Sequence, residues 1–243
     1  MRGLRATRAT RATWAVVGKE LVVLWTSPLP YVVGALLHIV LGTLYVNQLQ
    51  ARGQALAQPL FPLAGFLLIA LVPILTMRTL ADEARTGSLD LLHAVPVPTR
   101  ALVVGKWLAS WVTTLVVLAP ATLFAVLLAW WGNPDRGPII AGFAGLALLS
   151  AAVAGVGLLA SSLTSSQPVA AMVGFFVALL LWFAHVGSET TSAGPLLAGF
   201  SISERLRSFA GGAIDSSDVG FFVLLTAAAL VAAATVVQGR RLR

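Results

Sequence analysis

Along the chain, apolar runs of roughly 17 to 25 residues alternate with short polar breaks, and a run of that length crosses a hydrocarbon core as a helix. The pattern places spans at about 30–47, 60–77, 102–130, 139–159, 169–185 and 220–237. Pro73 falls near the far end of the second run and Pro120 inside the third, where a missing amide hydrogen kinks a helix. The stretch from Gly132 to Pro138 turns the chain after the third run, and Ser161 to Pro168 after the fourth. These elements predict an all-α polytopic membrane protein with six transmembrane helices.

Shorter periodicities lie between the runs. From Thr13 to Ser27, Trp14, Val17, Leu21 and Leu24 share one face, Lys19 and Glu20 lie on another, and Ser27-Pro28 stops the pattern. This segment is too short and too charged to cross, so it predicts an interfacial helix over 13–27 with Trp14 at the headgroup boundary. Residues 1–12 hold most of three Arg-Ala-Thr copies and predict a disordered basic tail, leaving 13–243 as a single transmembrane domain. The fourth run is rich in small residues, including Gly142, Gly145, Ala151, Gly155 and Gly157, which suits a helix at the centre of a bundle. In the long connection 187–219, Ile202, Leu206 and Phe209 against Glu204, Arg205 and Arg207 predict a short amphipathic helix.

The densest charge in the middle of the chain lies between Arg78 and Arg100. Asp82, Glu83 and Arg85 are followed by Gly87 and Ser88, then Leu89, Asp90, Leu91 and Leu92, closed by Pro96 and Pro98. Ser88 can cap a helical turn over 89–95, and Pro96 ends it. Leucines presented in this way need a cover, either a groove on a partner protein or the lipid surface, and periodicity does not choose between them.

Composition narrows the class. The 243 residues are 58% hydrophobic and 10% charged, against about 25% charged in soluble domains. With both termini on one side, that side collects Arg2, Arg5, Arg8, Arg11, Lys19, Arg78, Arg85, Arg100, Lys106, Arg240, Arg241 and Arg243. The other side holds Arg52, Arg136, Arg205 and Arg207. The excess marks the cytoplasm, so both termini and the 78–100 stretch are expected there. The formal charge of +7 then reports topology, and nucleic acid drops out as a partner. No cleavable signal peptide is expected, because the first strongly apolar run begins late.

Chemistry of the chain's own is scarce. Cysteine is absent, and His38, His93 and His185 lie in different regions without ligand spacing, so no metal site is expected. No Gly-x-Ser-x-Gly elbow occurs, which argues against an intramembrane enzyme. Every acidic residue is assigned to a loop or interfacial segment, which argues against an ion-driven secondary transporter. Gly105-Lys106 is followed by Trp107 and forms no phosphate loop, so Lys106 is expected to snorkel to the inner headgroups. No catalytic residue, no metal and no cofactor is predicted.

MRTLADEARTGSLDLLHAVPVPTRALVVGKWLAS, residues 77–110, resembles the segment after the second span of type-2 ABC transporter permeases, the exporter-type membrane subunits that include the gliding-motility-associated and nitrous-oxide-cluster branches. The matching positions are Glu83, Arg85, Gly87, Asp90, Leu91, Leu92, Pro96, Val97, Gly105 and Lys106, with Ser88 where threonine is usual and Asp90 where glutamate is common. Lys19-Glu20 with Ser27-Pro28, and LLASSLTSSQPVAA at 158–171, match the same family. The resemblance implies a bacterial-type inner-membrane permease with a cytoplasmic coupling helix between the second and third spans. It implies that Glu83, Arg85, Gly87, Ser88, Leu89, Asp90, Leu91, Leu92 and Pro96 meet a separate ABC ATPase subunit. It further implies that the interfacial helix with Trp14, Lys19 and Glu20 relays motion, and that a second permease copy or a similar subunit completes the route.

Overall fold

The computed structural model describes residues 2–52, 56–86, 98–131, 135–186 and 199–240, and among these the secondary structure is helical. Helix α1 spans Arg2–Thr26 and α2 Leu29–Arg52; α3 spans Leu60–Thr76 and α4 Arg78–Thr86. Then come α5 (Thr99–Leu118), a 3-10 turn (Ala119–Ala121), α6 (Thr122–Trp131) and α7 (Arg136–Leu163). Helices α8 (Gln167–Trp182), α9 (Ile202–Ala210) and α10 (Ser216–Arg240) complete the order.

Among the described residues, five stretches are long and apolar enough to cross a bilayer: Leu29–Ala51, Leu60–Thr86, Thr99–Trp130, Arg136–Leu163 and Ser216–Arg240. Helix α8 is apolar but has 16 residues, reaching about 24 Å against a hydrocarbon core of about 30 Å. The described residues therefore hold five candidate spans and one shorter apolar helix where the periodicity predicts six spans. Large apolar side chains such as Ile39, Leu123, Trp130, Leu180 and Leu224 point outward, as a lipid-facing surface requires.

Two of these stretches are interrupted, one at Met77 and one at Pro120. Thr76 ends α3, and the amide of Met77 donates to the Pro73 carbonyl at 2.9 Å before α4 begins. Pro120 lies in the 3-10 turn between α5 and α6, where its missing amide interrupts the α-helical ladder.

Helix α7 occupies the centre, packing on α3, α4, α5, α8, α9 and α10. Every residue from Leu149 to Leu158 is buried, as befits a helix surrounded on all sides. Gly157 shows why small side chains stand here: a Cβ at this position would collide with the side chain of Thr76 in α3. At one end of the bundle α9 forms as its periodicity predicts. Ser201 caps it by accepting from the Glu204 amide at 3.5 Å, Ile202, Leu206 and Phe209 are buried, and Arg205 pairs with Asp218 of α10 at 2.8 Å.

The Arg-Ala-Thr repeats are helical, so α1 begins before Thr13 where a tail is expected. Alanine and arginine both favour helix, and their run joins directly to the apolar part. The buried face of α1 is Val17, Glu20 and Leu24, while Trp14 is 65% exposed. The face therefore differs from the Trp14, Val17, Leu21, Leu24 set, because positions three and four apart align Glu20 with Val17 and Leu24.

Candidate functional site: a polar junction at the end of the bundle opposite α9

Helix α1 runs along α5, and one glycine sets how close they come. A Cβ on Gly105 would stand 2.8 Å from Val16 Cβ and 3.1 Å from the Thr13 carbonyl oxygen, well inside van der Waals contact. The next residue uses that proximity. Lys106 Nζ donates to Glu20 Oε1 of α1 at 2.7 Å, to Glu83 Oε1 of α4 at 2.9 Å and to the Thr79 carbonyl at 2.7 Å. All three ammonium donors are thus engaged. Lys19 Nζ approaches the same Glu83 oxygen at 3.7 Å from the exposed side.

The Lys106 side chain is 1% exposed. It does not snorkel to the headgroups, as its place near the start of the third span predicts; it points inward, because two carboxylates and a carbonyl replace the water it would otherwise keep. An unpaired buried ammonium would be far costlier than this arrangement. Glu20, assigned from sequence to a polar face, is likewise buried by the pair.

A second set of bonds fixes the break between α3 and α4. The Ser161 hydroxyl of α7 accepts from the Leu80 amide at 3.1 Å and the Ala81 amide at 2.9 Å, and donates to the Met77 carbonyl at 3.0 Å. The first amides of a helix have no partner within it, so a side chain from α7 serves as the cap. Each buried amide left without an acceptor costs about 1–3 kcal/mol, and this hydroxyl supplies two. Beside it, Gln167 Nε2 at the start of α8 donates to Asp82 Oδ1 at 2.8 Å, an oxygen that also receives Arg85 at 2.9 Å.

Two tryptophans tie α5 to the centre. Trp107 and Trp111 stack with centroids 5.4 Å apart, and their indole nitrogens donate to the Ala151 and Ala147 carbonyls of α7. The face of α5 that bears Trp107 and Trp111 is thereby held by α7, and Lys106 reaches α1 and α4.

Residues far apart in sequence meet at this junction: Lys19, Glu20 and Ser27 from the first part of the chain, Arg78 to Glu83 with Lys106 from the middle, and Ser161 and Gln167 from the turn before α8. Of the residues expected to carry function, Lys19, Glu20 and Glu83 converge; Arg85 pairs with Asp82 on the exposed side of α4, and Trp14 stands apart. Glu83 bonds within the chain. Gly87, Ser88, Leu89, Asp90, Leu91, Leu92 and Pro96 lie outside the described residues. The structure adds Thr79, Asp82, Lys106, Ser161 and Gln167 to the junction. Among the described residues no group of three or more His, Asp or Glu side chains is set to hold a metal.

The architecture is that of a multi-pass helical membrane protein. Residues 41–203 match the model of the ABC-2 family transporter proteins, which is more than half of the chain, and the protein belongs to that family. Heme exporter protein B of Rhodobacter capsulatus is 50% identical over 52 residues. That match covers 21% of this chain and 24% of the relative, so the chain spans about a quarter of the length of the curated relative it matches.

Proposed function

We propose that the protein is the membrane-spanning permease subunit of an ABC exporter, driven by a separate ATP-hydrolysing subunit and paired with a second copy or a similar subunit. The observation that carries this reading is the Lys106 junction. Helix α4 leads directly into residues 87–97, the segment that by resemblance docks on the ATPase, and Glu83 on α4 is tied through Lys106 to α1 and α5. A pull on α4 would therefore reach the rest of the bundle through buried ionic bonds. In this reading Leu89, Leu91 and Leu92 seat in the ATPase, Asp90 and Arg85 meet charged groups around them, and Glu83 anchors the segment from behind.

The reading places α8 as a sixth, shorter crossing, with both termini and the Lys106 junction in the cytoplasm of a bacterial-type inner membrane. The sixteen basic residues split twelve to four in favour of that orientation. Cysteines introduced at Ser88 and Ser192 are expected to react with impermeant maleimide from the cytoplasmic and outer sides respectively. Reaction of both from one side would overturn the six-crossing arrangement. The purified chain alone is expected to hydrolyse no ATP, and hydrolysis that persists after removal of contaminating ATPases would contradict a separate motor.

A further inference from the structure

A cleft of about 710 Å³ opens beside the Lys106 junction, between the second half of α1, the start of α2 and α4. One wall is apolar and faces outward: Val23 and Val32 are 54% and 61% exposed. Charged side chains line the cleft beside these valines. Glu83 Oε2 is buried and accepts no hydrogen bond among the described residues, Arg78 donates to Ser27 Oγ at 3.1 Å, and the Lys19 side chain is 58% exposed. Flanking the turn whose Ser27 and Pro28 line the cleft, Trp25 and Tyr31 pack edge to face at 5.5 Å, with the Tyr31 hydroxyl donating to the Trp25 carbonyl. An aromatic pair of this kind sits at the headgroup level of a bilayer.

Such a cleft asks for a ligand with a hydrogen-bonding cation at one end, an anion near it and an apolar tail. Glu83 Oε2 needs a donor, because a buried carboxylate oxygen left bare forfeits the bonds it had in water. Lys19 and Arg78 offer donors to an anion, and Arg78 suits phosphate geometry. The outward valines continue into the lipid. We infer that this cleft binds phosphatidylethanolamine, with its ammonium on the 13% exposed Glu83 side chain, which turns Oε2 into the cleft to receive it, its phosphate between Lys19 and Arg78, and its acyl chains leaving past Val23 and Val32. Phosphatidylcholine carries the same phosphate and tails but its quaternary nitrogen has no N–H to give. Phosphatidylglycerol has no cation. The inference is independent of the ABC permease reading, since it rests on the cleft alone.

Native mass spectrometry of the full chain in detergent, titrated with the three lipids bearing identical acyl chains, tests it. Phosphatidylethanolamine is expected as one retained adduct per chain, bound about tenfold more tightly than either other lipid. The Lys19→Ala/Arg78→Ala double variant is expected to lose that adduct while keeping its circular dichroism and elution volume. Equal retention of phosphatidylcholine would overturn the inference, as would stronger retention of phosphatidylglycerol, which would mark a site for anions only. Should the double variant misfold, the comparison of lipids on the unaltered chain still decides.

Discussion

Lys106→Met is expected to destabilise the protein by about 3–5 kcal/mol, the cost of leaving buried carboxylates without the cation that neutralises them. Methionine keeps the length and the flexibility of the side chain, so packing changes little and charge changes fully. For a chain of this size the loss corresponds to a melting temperature lower by about 10 °C. The partner substitutions supply the control. Glu20→Gln/Glu83→Gln added to Lys106→Met removes every buried charge of the triad, and the triple variant is expected to recover most of the lost stability. Strong non-additivity of that kind is the signature of groups in direct contact. Thermal melting of the detergent-solubilised variants measures it, and a Lys106→Met melt unchanged from the parent would return Lys106 to the headgroups.

The Lys106 junction also explains how much of this protein its sequence discloses. The apolar runs report spans because length and hydropathy are local properties, and α9 is legible because Ser201, Ile202, Leu206 and Phe209 carry both its cap and its face within nine residues. The central place of α7 is legible for a similar reason, since Gly142, Gly145, Gly155 and Gly157 lie in one run. The shortness of α8 is less so, because Phe183 and Ala184 are apolar and extend the run while the helix ends at Trp182.

The ion triad follows another logic. Lys106 meets Glu20 and Glu83 across 86 and 23 residues, and no periodicity connects positions so far apart. A lysine near the start of an apolar run reads locally as an interface anchor, and only the approach of α1 at Gly105 turns it inward. Ser161 and Gln167 are hidden in the same way. They stand in a polar turn whose composition predicts a loop, and their work, capping α4 and holding Asp82, depends on a helix more than 70 residues earlier. The family resemblance marks the three stretches that hold these residues as alike to one motif set without saying that they touch.

The second large effect concerns the segment beyond α4. If Leu92 seats in an apolar groove of the ATPase, Leu92→Asp buries a carboxylate with no partner, which costs several kcal/mol and lowers association by about a hundredfold or more. Leu92 lies past Thr86, the last residue of α4, and the Lys106 triad and the Ser161 cap are formed by described residues before and after that segment. The variant is therefore expected to insert and to melt like the parent, which separates it from Lys106→Met. A helix resting on lipid gives another pattern, in which the substitution weakens membrane contact and leaves the ATPase bound.

Affinity recovery of the co-expressed cognate ATPase, from membranes holding equal amounts of the parent and the Leu92→Asp chain, measures this most directly. A permease driven from outside the membrane is expected to bring the ATPase down with the parent and to lose nearly all of it with Leu92→Asp. Recovery of the ATPase undiminished by the substitution, or no recovery with the parent, would contradict it.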